Sequence, residues 1–466
     1  MLFNSIEFAV FSVVVCLLYY SPIFRNRQVW FLVAASLVFY SWGQPKWLLL
    51  LIFSIGINSV ASWQIMSRTG RAAKITWSAA CIIINVVLLA SFKYAALAAS
   101  LLAGAGDANS LFSLLAQLPL PIGISFYTFE GISLLVDSIR RPPELSTTSR
   151  LSHIRNTSLF FSFFPHLAAG PIVRPHQLFP QIGGKRFQDI DWKCVLENLI
   201  IGYFLKNVVA DNLVPYTRVI TFYSAQVSGA ESACALVAYS ASLFADFAGY
   251  SLIAIGLAAA FGYKLPVNFN FPYRSQSLAE FWTRWHITLS LWIKDYLYIP
   301  LGGNKKGTLR TYFNLLTVMF LGGLWHGGKV GFALWGIYHG VGLCLERMLG
   351  FSHGQAKSVP LLVVRIVAAF IFVTLGWSVF VLPLHMVPSF FSNTMHNWRW
   401  TPDKSNLFMM VLFSAPVFIW HIADVWKEKN ASIKFPPVVR ECCLAAMIFL
   451  VITSSGVPQE FVYFQF

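Results

Sequence analysis

The sequence predicts an all-α, polytopic membrane protein, and three observations carry that prediction. The 466-residue chain is 57% hydrophobic and only 11% charged, where an average soluble domain carries about 25% charged residues. Apolar runs of about 20 residues, long enough to span a bilayer, recur along its whole length. Its 34 Lys and Arg outnumber 19 Asp and Glu, for a net charge of +15, and they gather in short loops between the runs.

The first run, Phe8 to Tyr20 extended at both ends, is expected as a retained helix. Met1 to Glu7 has no basic residue and no small-residue cleavage site follows, so a cleaved signal peptide is not expected. Trp47 to Ile65 and Ile75 to Ser91 belong to a set of four spans within residues 1 to about 100. Residues 103 to 110 (Ala-Gly-Ala-Gly-Asp-Ala-Asn-Ser) are expected as a turn on the outside.

Between about 120 and 350 the text changes character and holds most of the Gly-Pro punctuation, Trp and His. Residues 140 to 155 and 174 to 193 are basic and polar, with Arg140, Arg141, Arg150, Arg155, Arg174, Lys185 and Arg186. Both are expected as cytoplasmic loops. The piece between them, Phe160 to Val173, is short and broken by Pro165, Gly170 and Pro171. Two loops on one side with a broken segment between them predict a re-entrant element. Val363 to Leu382 and Leu407 to Ile422 return to plain spans. The expectation is about ten to twelve crossings in a single membrane domain. Residues 1–115 are expected as N-terminal spans, 116–350 as the motif-bearing core, 351–457 as C-terminal spans and 458–466 as an aromatic tail.

The basic residues follow the positive-inside rule. Arg25 and Arg27 follow the first span, Arg68, Arg71 and Lys74 the third, and the chain head and Asp107 loop carry none. That places the N-terminus outside and favours an anionic inner leaflet, so membrane lipids rather than nucleic acid, as the partner of the charge. The seven cysteines (Cys16, Cys81, Cys194, Cys234, Cys344, Cys442, Cys443) form no CxxC pair. They are expected as small core residues, with no metal site.

Two histidines in apolar, aromatic text are the strongest chemical signal, because ionisable groups at membrane depth are costly. His286 lies in FWTRWHITLSLWIKDYLYIPLGG. There Trp282, His286, Leu289 and Ile293 share one helical face, Arg284, Lys294 and Asp295 bracket it, and Pro300 with Gly302 and Gly303 ends it. His326 lies in LGGLWHGG beside Trp325, where glycines admit a close backbone or ligand. Imidazole titrates near neutral pH and suits proton transfer. The bland alternative is a buried, helix-bonding histidine for His286 and a small-residue packing site for His326. His339 and His166 are weaker candidates of the same kind. His353, His385, His396 and His421 are expected near span ends, facing water. Asp246 in YSASLFADFAGYS is expected either to orient a histidine or bind substrate, or to make a helix-packing hydrogen bond. No GxSxG elbow, HExxH or P-loop occurs in the sequence. No acidic pair stands in a plain span, which argues against an ion-coupled transporter. The tail Phe461-Val-Tyr463-Phe-Gln-Phe466 is expected either as an interfacial anchor or as a segment inserted into a cavity, and composition alone favours the anchor.

PIGISFYTF (Pro121 to Phe129), FFPHLAAGPIVR (Phe163 to Arg174), DFAGYS (Asp246 to Ser251), the His286 segment and GGLWHG together resemble the membrane-bound O-acyltransferase family. The likeness is closest to its bacterial alginate O-acetyltransferase branch and more distant to the lipoteichoic acid D-alanyl transferases. It runs from about residue 4 to the C-terminus and is densest over 121–345. Thr288 stands where the branch has Ser, and His166 where Gln is commoner.

The resemblance implies a ring of transmembrane helices with re-entrant segments around a central funnel. It implies His326 as the catalytic histidine and His286 as its paired polar residue. It implies Tyr463, in a tail resembling F-x-Y-x-x-F, as an acyl relay. Asp246, Trp325, Arg284, Asp295 and His166 complete the candidate substrate-binding set. The implied donor is acetyl-CoA, with no bound cofactor. The implied partners are an extracytoplasmic transferase resembling the SGNH hydrolases and a polysaccharide biosynthesis complex, at a bacterial inner membrane. D-alanyl or peptidoglycan acyl transfer is the enzymatic alternative; a passive conduit or a synthase scaffold is the non-enzymatic one.

Overall fold

The computed structural model describes residues 1, 3–43, 45–103, 117, 119–141, 145, 147–351, 356, 358–429, 436–459 and 461–462. Every regular element among the described residues is helical. The chain gathers into two compact units. The first holds Met1–Leu199 and Ser251–Pro266, the second Ile200–Tyr250 and Val267–Phe466.

In the first unit the main helices are α1 (Ile6–Tyr20), α2 (Gln28–Gly43), α3 (Leu48–Ser67), α4 (Arg71–Lys93), α5 (Ala95–Ala103), α6 (Ile124–Arg140) and α7 (Arg150–Ser162). The Ser5 hydroxyl caps α1 by accepting from the Phe8 N–H at 3.2 Å, satisfying one of the donors that a helix start leaves open. Helices α3, α4 and α6 pack on one another around a reciprocal amide pair. Asn58 Nδ2 donates to Asn85 Oδ1 at 3.2 Å and Asn85 Nδ2 to Asn58 Oδ1 at 3.1 Å. Side-chain amides bonded across helices hold a membrane bundle where lipid leaves little hydrophobic drive between helices.

Residues 150–155, expected as part of a basic loop, are instead the first turns of α7. The Ser149 hydroxyl accepts from the Ser152 N–H, and His153 Nε2 lies 2.8 Å from the Ser62 hydroxyl of α3. A cap and a buried polar contact together outweigh the polar composition there. The break in Phe160 to Val173 is present. Helix α7 stops at Ser162, a single turn covers Phe164–Leu167, and irregular backbone follows to Arg174. All of 160–173 is buried, as irregular backbone at membrane depth requires. Of the expected outside turn, residues 104–110 lie outside the described residues.

The second unit holds most of α8 (Gly229–Ala260), then α9 (Leu278–Arg284), α10 (Ile287–Ile293), α11 (Thr308–His326), α12 (Val330–Met348), α13 (Val359–Val381), α14 (Lys404–Lys429) and α15 (Pro437–Thr453). Helices α11 and α12 form its closest pairing, because glycines let their backbones touch. A Cβ at Gly323 would meet the Phe332 carbonyl at 2.2 Å and Gly336 Cα at 3.1 Å. Gly323→Ala is therefore expected to destabilise the protein by about 3 kcal/mol, the upper end of overpacking costs. Gly56→Ala, whose Cβ meets nothing within 4 Å, is expected to cost nothing. Thermal unfolding in detergent micelles checks both.

Among the described residues, five helical stretches are long and apolar enough to cross a membrane: Pro45–Ser67, Arg71–Lys93, Gly229–Ala260, Val359–Val381 and Lys404–Glu428. The outer helices present apolar residues outward. In α13, Val363, Val364, Val367 and Ile371 are exposed, and α15 buries no residue. Cys81 and Cys344 are buried as expected, but Cys442 and Cys443 on α15 are exposed, since an apolar face turned to lipid needs no protein cover.

Candidate active site

The sequence places His286 mid-helix, but the structure breaks the helix there. Helix α9 ends at Arg284 and α10 begins at Ile287. His286 takes a left-handed conformation with φ 43°, which a non-glycine residue holds only when its surroundings over-determine it. Those surroundings are the extended segment 268–270. The Ile287 N–H donates to the Asn268 carbonyl and the Asn270 N–H to the Arg284 carbonyl, each at 2.9 Å. Helical periodicity cannot foresee a break imposed by pairing with residues 14 and 19 positions away.

The same Asn268 fixes the imidazole. Its Oδ1 accepts from the Thr288 N–H at 3.3 Å and the Thr288 hydroxyl at 2.8 Å. A backbone N–H facing that atom identifies it as the oxygen, so His286 Nδ1, 3.1 Å away, is the donor. In the neutral ring the lone pair then sits on Nε2. Asn268→Ala is expected to cost about 1–3 kcal/mol, because it strands buried donors. Acyl transfer should fall about tenfold with it, the low end for losing a residue that orients a functional imidazole. Thermal unfolding and turnover check the two effects separately.

His326 is the last residue of α11 and is buried at 5% exposure. Trp325 joins the two histidines: its ring lies 5.0 Å from His326 and 6.0 Å from His286. Around His326 stand Phe380 at 5.1 Å and Trp335 at 5.4 Å. His326 lines a cavity of about 250 Å³, whose other walls include Trp282, Ser290, Lys294, Tyr298, Gly322 and Trp335. The site is thus a mostly apolar chamber with a histidine at its wall and a second histidine across one indole. Such apolar walls can strengthen a proton acceptor's interactions with a bound group.

The remaining candidates fall in several places. Arg284 donates to Glu280 Oε1 at 2.8 Å and to the Asn270 carbonyl at 3.2 Å, so its charge is engaged in holding the break. Asp295 belongs to the π turn Lys294–Tyr298, whose two end residues line the cavity. His339 is buried within 5.1 Å of the Trp282 ring and 4.9 Å of Trp335. His166 lies in the first unit, fully buried with Nδ1 3.0 Å from Glu130 Oε1, a distance for ionic contact though off hydrogen-bond alignment. His385 and His396 are exposed as expected, and His353 lies outside the described residues. His421 is buried instead, with Nδ1 2.7 Å from the Val417 carbonyl and its ring against Phe244. Packing on α8 covers it.

Asp246 does none of the jobs expected of it with respect to a histidine. It lies 2.8 Å from Lys206 Nζ, which also donates to Asp211 at 2.7 Å. Its second oxygen accepts from the Val462 N–H at 2.9 Å. Lys206 Nζ donates to the Gln459 carbonyl at 3.0 Å. Backbone at Gln459 and Val462 is therefore held by buried ions, and Phe461 is 1% exposed, stacked on Tyr250 at 4.5 Å. This corrects the anchor reading up to Val462, because buried ions outbid the interface for the backbone. Tyr463 lies outside the described residues.

Sequence reasoning missed Lys206, Asp211 and Asn268. A lysine within the apolar run Leu199 to Ala210 was a usable signal. Its pairing with Asp211 was not, because five-residue spacing faces apart on an α-helix. The π turn Phe204–Ala210 brings the two together.

Residues 69–387 match the family model "MBOAT, membrane-bound O-acyltransferase family". The chain is 36% identical over 393 residues to the "Probable alginate O-acetylase AlgI" of Pseudomonas aeruginosa, covering 82% of this chain and 72% of that protein. It is 35% identical over 389 residues to the "Peptidoglycan O-acetyltransferase" of Helicobacter pylori, covering 77% and 71%. It is 28% identical over 279 residues to the "Teichoic acid D-alanyltransferase" of Bacillus subtilis, covering 56% and 68%. With its helical architecture and its histidine-walled chamber, the chain is a multi-pass membrane acyltransferase and belongs to the membrane-bound O-acyltransferase family.

Proposed function

We propose that this acyltransferase moves acetyl groups from cytoplasmic acetyl-CoA across the membrane for O-acetylation of an extracytoplasmic polysaccharide. The observation that carries the reading is His326 on the wall of an apolar chamber, with His286 across Trp325. The names of the alginate and peptidoglycan relatives support acetyl as the acyl group, and glycan hydroxyls as acceptors. An alginate- or cellulose-like exopolysaccharide is the proposed acceptor, with peptidoglycan the alternative that the Helicobacter relative favours.

His326 acts as general base on the Tyr463 hydroxyl, since a phenol of pKa about 10 is a weak nucleophile at neutral pH. The phenolic oxygen attacks the thioester carbonyl, the C–S bond breaks, and the thiolate takes the proton from the imidazolium. The acetyl group then rests as an ester on Tyr463. A glycan hydroxyl attacks that ester on an extracytoplasmic partner resembling the SGNH hydrolases, which restores the phenol. His286, donating through Nδ1 to Asn268, presents a lone pair at Nε2 when neutral. That favours orienting a donor or accepting a proton over polarising a carbonyl. We place the protein in a bacterial inner membrane with its N-terminus outside, so that the loops at Arg25 and Arg68 face the cytoplasm.

Purified protein in liposomes tests this reading. Acetyl-CoA should release free thiol in a burst of about one equivalent per chain when no acceptor is present, the signature of a covalent intermediate. Thiol release from a D-alanyl thioester but not from acetyl-CoA would shift the reading to D-alanyl transfer. Release from neither would leave the proposed donor without support.

A further inference from the structure

We propose that Lys206, Asp211 and Asp246 form a buried latch that holds the C-terminal segment by its backbone and so sets the position of Tyr463. They are positioning residues. Their purpose rests on the relay reading above; their grip on the segment does not.

The latch residues and their helix neighbours bind main chain at every point. Lys206 donates to the Gln459 carbonyl and Asp246 accepts from the Val462 N–H. Alongside them, the Asn212 amide donates to the Ser454 carbonyl and the Asn207 carbonyl accepts from the Gly456 N–H, each at 2.8 Å. Gly456 is fitted to this: a Cβ there would meet Asn212 N and Asp211 C at 2.8 Å.

Charge explains why the latch needs the segment. Lys206, Asp211 and Asp246 side chains are 4%, 1% and 4% exposed, so one cation faces two carboxylates away from water. A buried excess charge is tolerated only when hydrogen bonds satisfy it. The segment supplies the Val462 N–H to the carboxylate and the Gln459 carbonyl to the ammonium. In return, residues 454–459, which form no helix or strand, gain a fixed path.

That path ends one ring away from His286. Phe461 lies 5.6 Å from Phe247, and Phe247 lies 4.7 Å from the His286 ring. In the sequence, Tyr463 is the next residue after the held Val462, so in the relay reading the latch leaves no free chain between its grip and the proposed nucleophile. A nucleophile held this way meets its partner without the entropic loss of a free tail.

Hydrogen exchange read by mass spectrometry on the full-length protein in micelles tests the latch. In the wild type, amides of 454–462 should exchange about a hundredfold more slowly than in a free chain. Lys206→Met with Asp211→Asn removes one charge of each sign. It should raise exchange in 454–462 about a hundredfold while α11 and α12 stay protected. It should lower kcat for acetyl transfer without changing KM for acetyl-CoA, and Lys206→Arg should restore protection and turnover. An unprotected wild-type segment overturns the latch without any variant. So does undiminished protection in the folded double variant. Lost protection with full acetyl transfer overturns the positioning role. If Tyr463→Phe is then inactive the relay stands, and if it is active the relay falls too.

Discussion

Replacing His326 by alanine is expected to lower acetyl-CoA-dependent thiol release by about a thousandfold, mid-range for loss of a general base. His326 is the one histidine among the described residues that line the chamber. The effect should appear in kcat, since the apolar walls that hold the donor remain. His286→Asn should behave differently. Asparagine adopts the left-handed conformation that His286 holds more easily than most residues, so the break between α9 and α10 survives. It loses only the titrating group, and a drop of about tenfold is expected, near the low end of acid–base contributions. Thiol release measured on both proteins, with thermal unfolding as a control for folding, separates the base from its neighbour. Equal losses at the two positions would contradict the assignment of the base to His326.

Replacing Tyr463 by phenylalanine removes one oxygen and is expected to abolish polymer acetylation to about a hundredth or less, because the covalent route is lost. Phenylalanine keeps the aromatic body, and the backbone bonds to Lys206 and Asp246 do not involve this side chain. The latch should therefore hold, with hydrogen exchange at 454–462 unchanged. Slow thiol release by water attack should persist, since a general base at His326 would activate water as well as a phenol. Acetylated polymer, measured on cells carrying the variant, checks the first part. Thiol release by the purified variant checks the second.

How much of this was legible in the sequence differs from residue to residue. The long spans α3, α4, α13 and α14 contain the expected apolar runs to within one residue and extend beyond most of their ends by two to seven residues, because lipid leaves the backbone no alternative to a helix. His286 and His326 stood out because charge at membrane depth is rare. The left-handed turn at His286 did not, because neither glycine nor proline marks it and its cause is Asn268, far back in the chain. For Asp246 the structure shows the helix-packing alternative, but its partner Lys206 was not foreseen, since the link to Asp211 that completes the cluster runs through a π turn. The backbone holds on Gly456, Gln459 and Val462 were hidden for the same reason: the holding groups are ions and a carbonyl more than two hundred residues upstream, and aromatic composition alone points to the interface.

The central claim is that acetyl passes from a thioester through His326 to Tyr463. Incubating the purified protein with isotope-labelled acetyl-CoA and mapping the label by peptide mass spectrometry, beside His326→Ala, tests it most directly. The account predicts label on the Tyr463 hydroxyl in the wild type and none in the variant. Label on another residue, or label on Tyr463 that persists without His326, would contradict it.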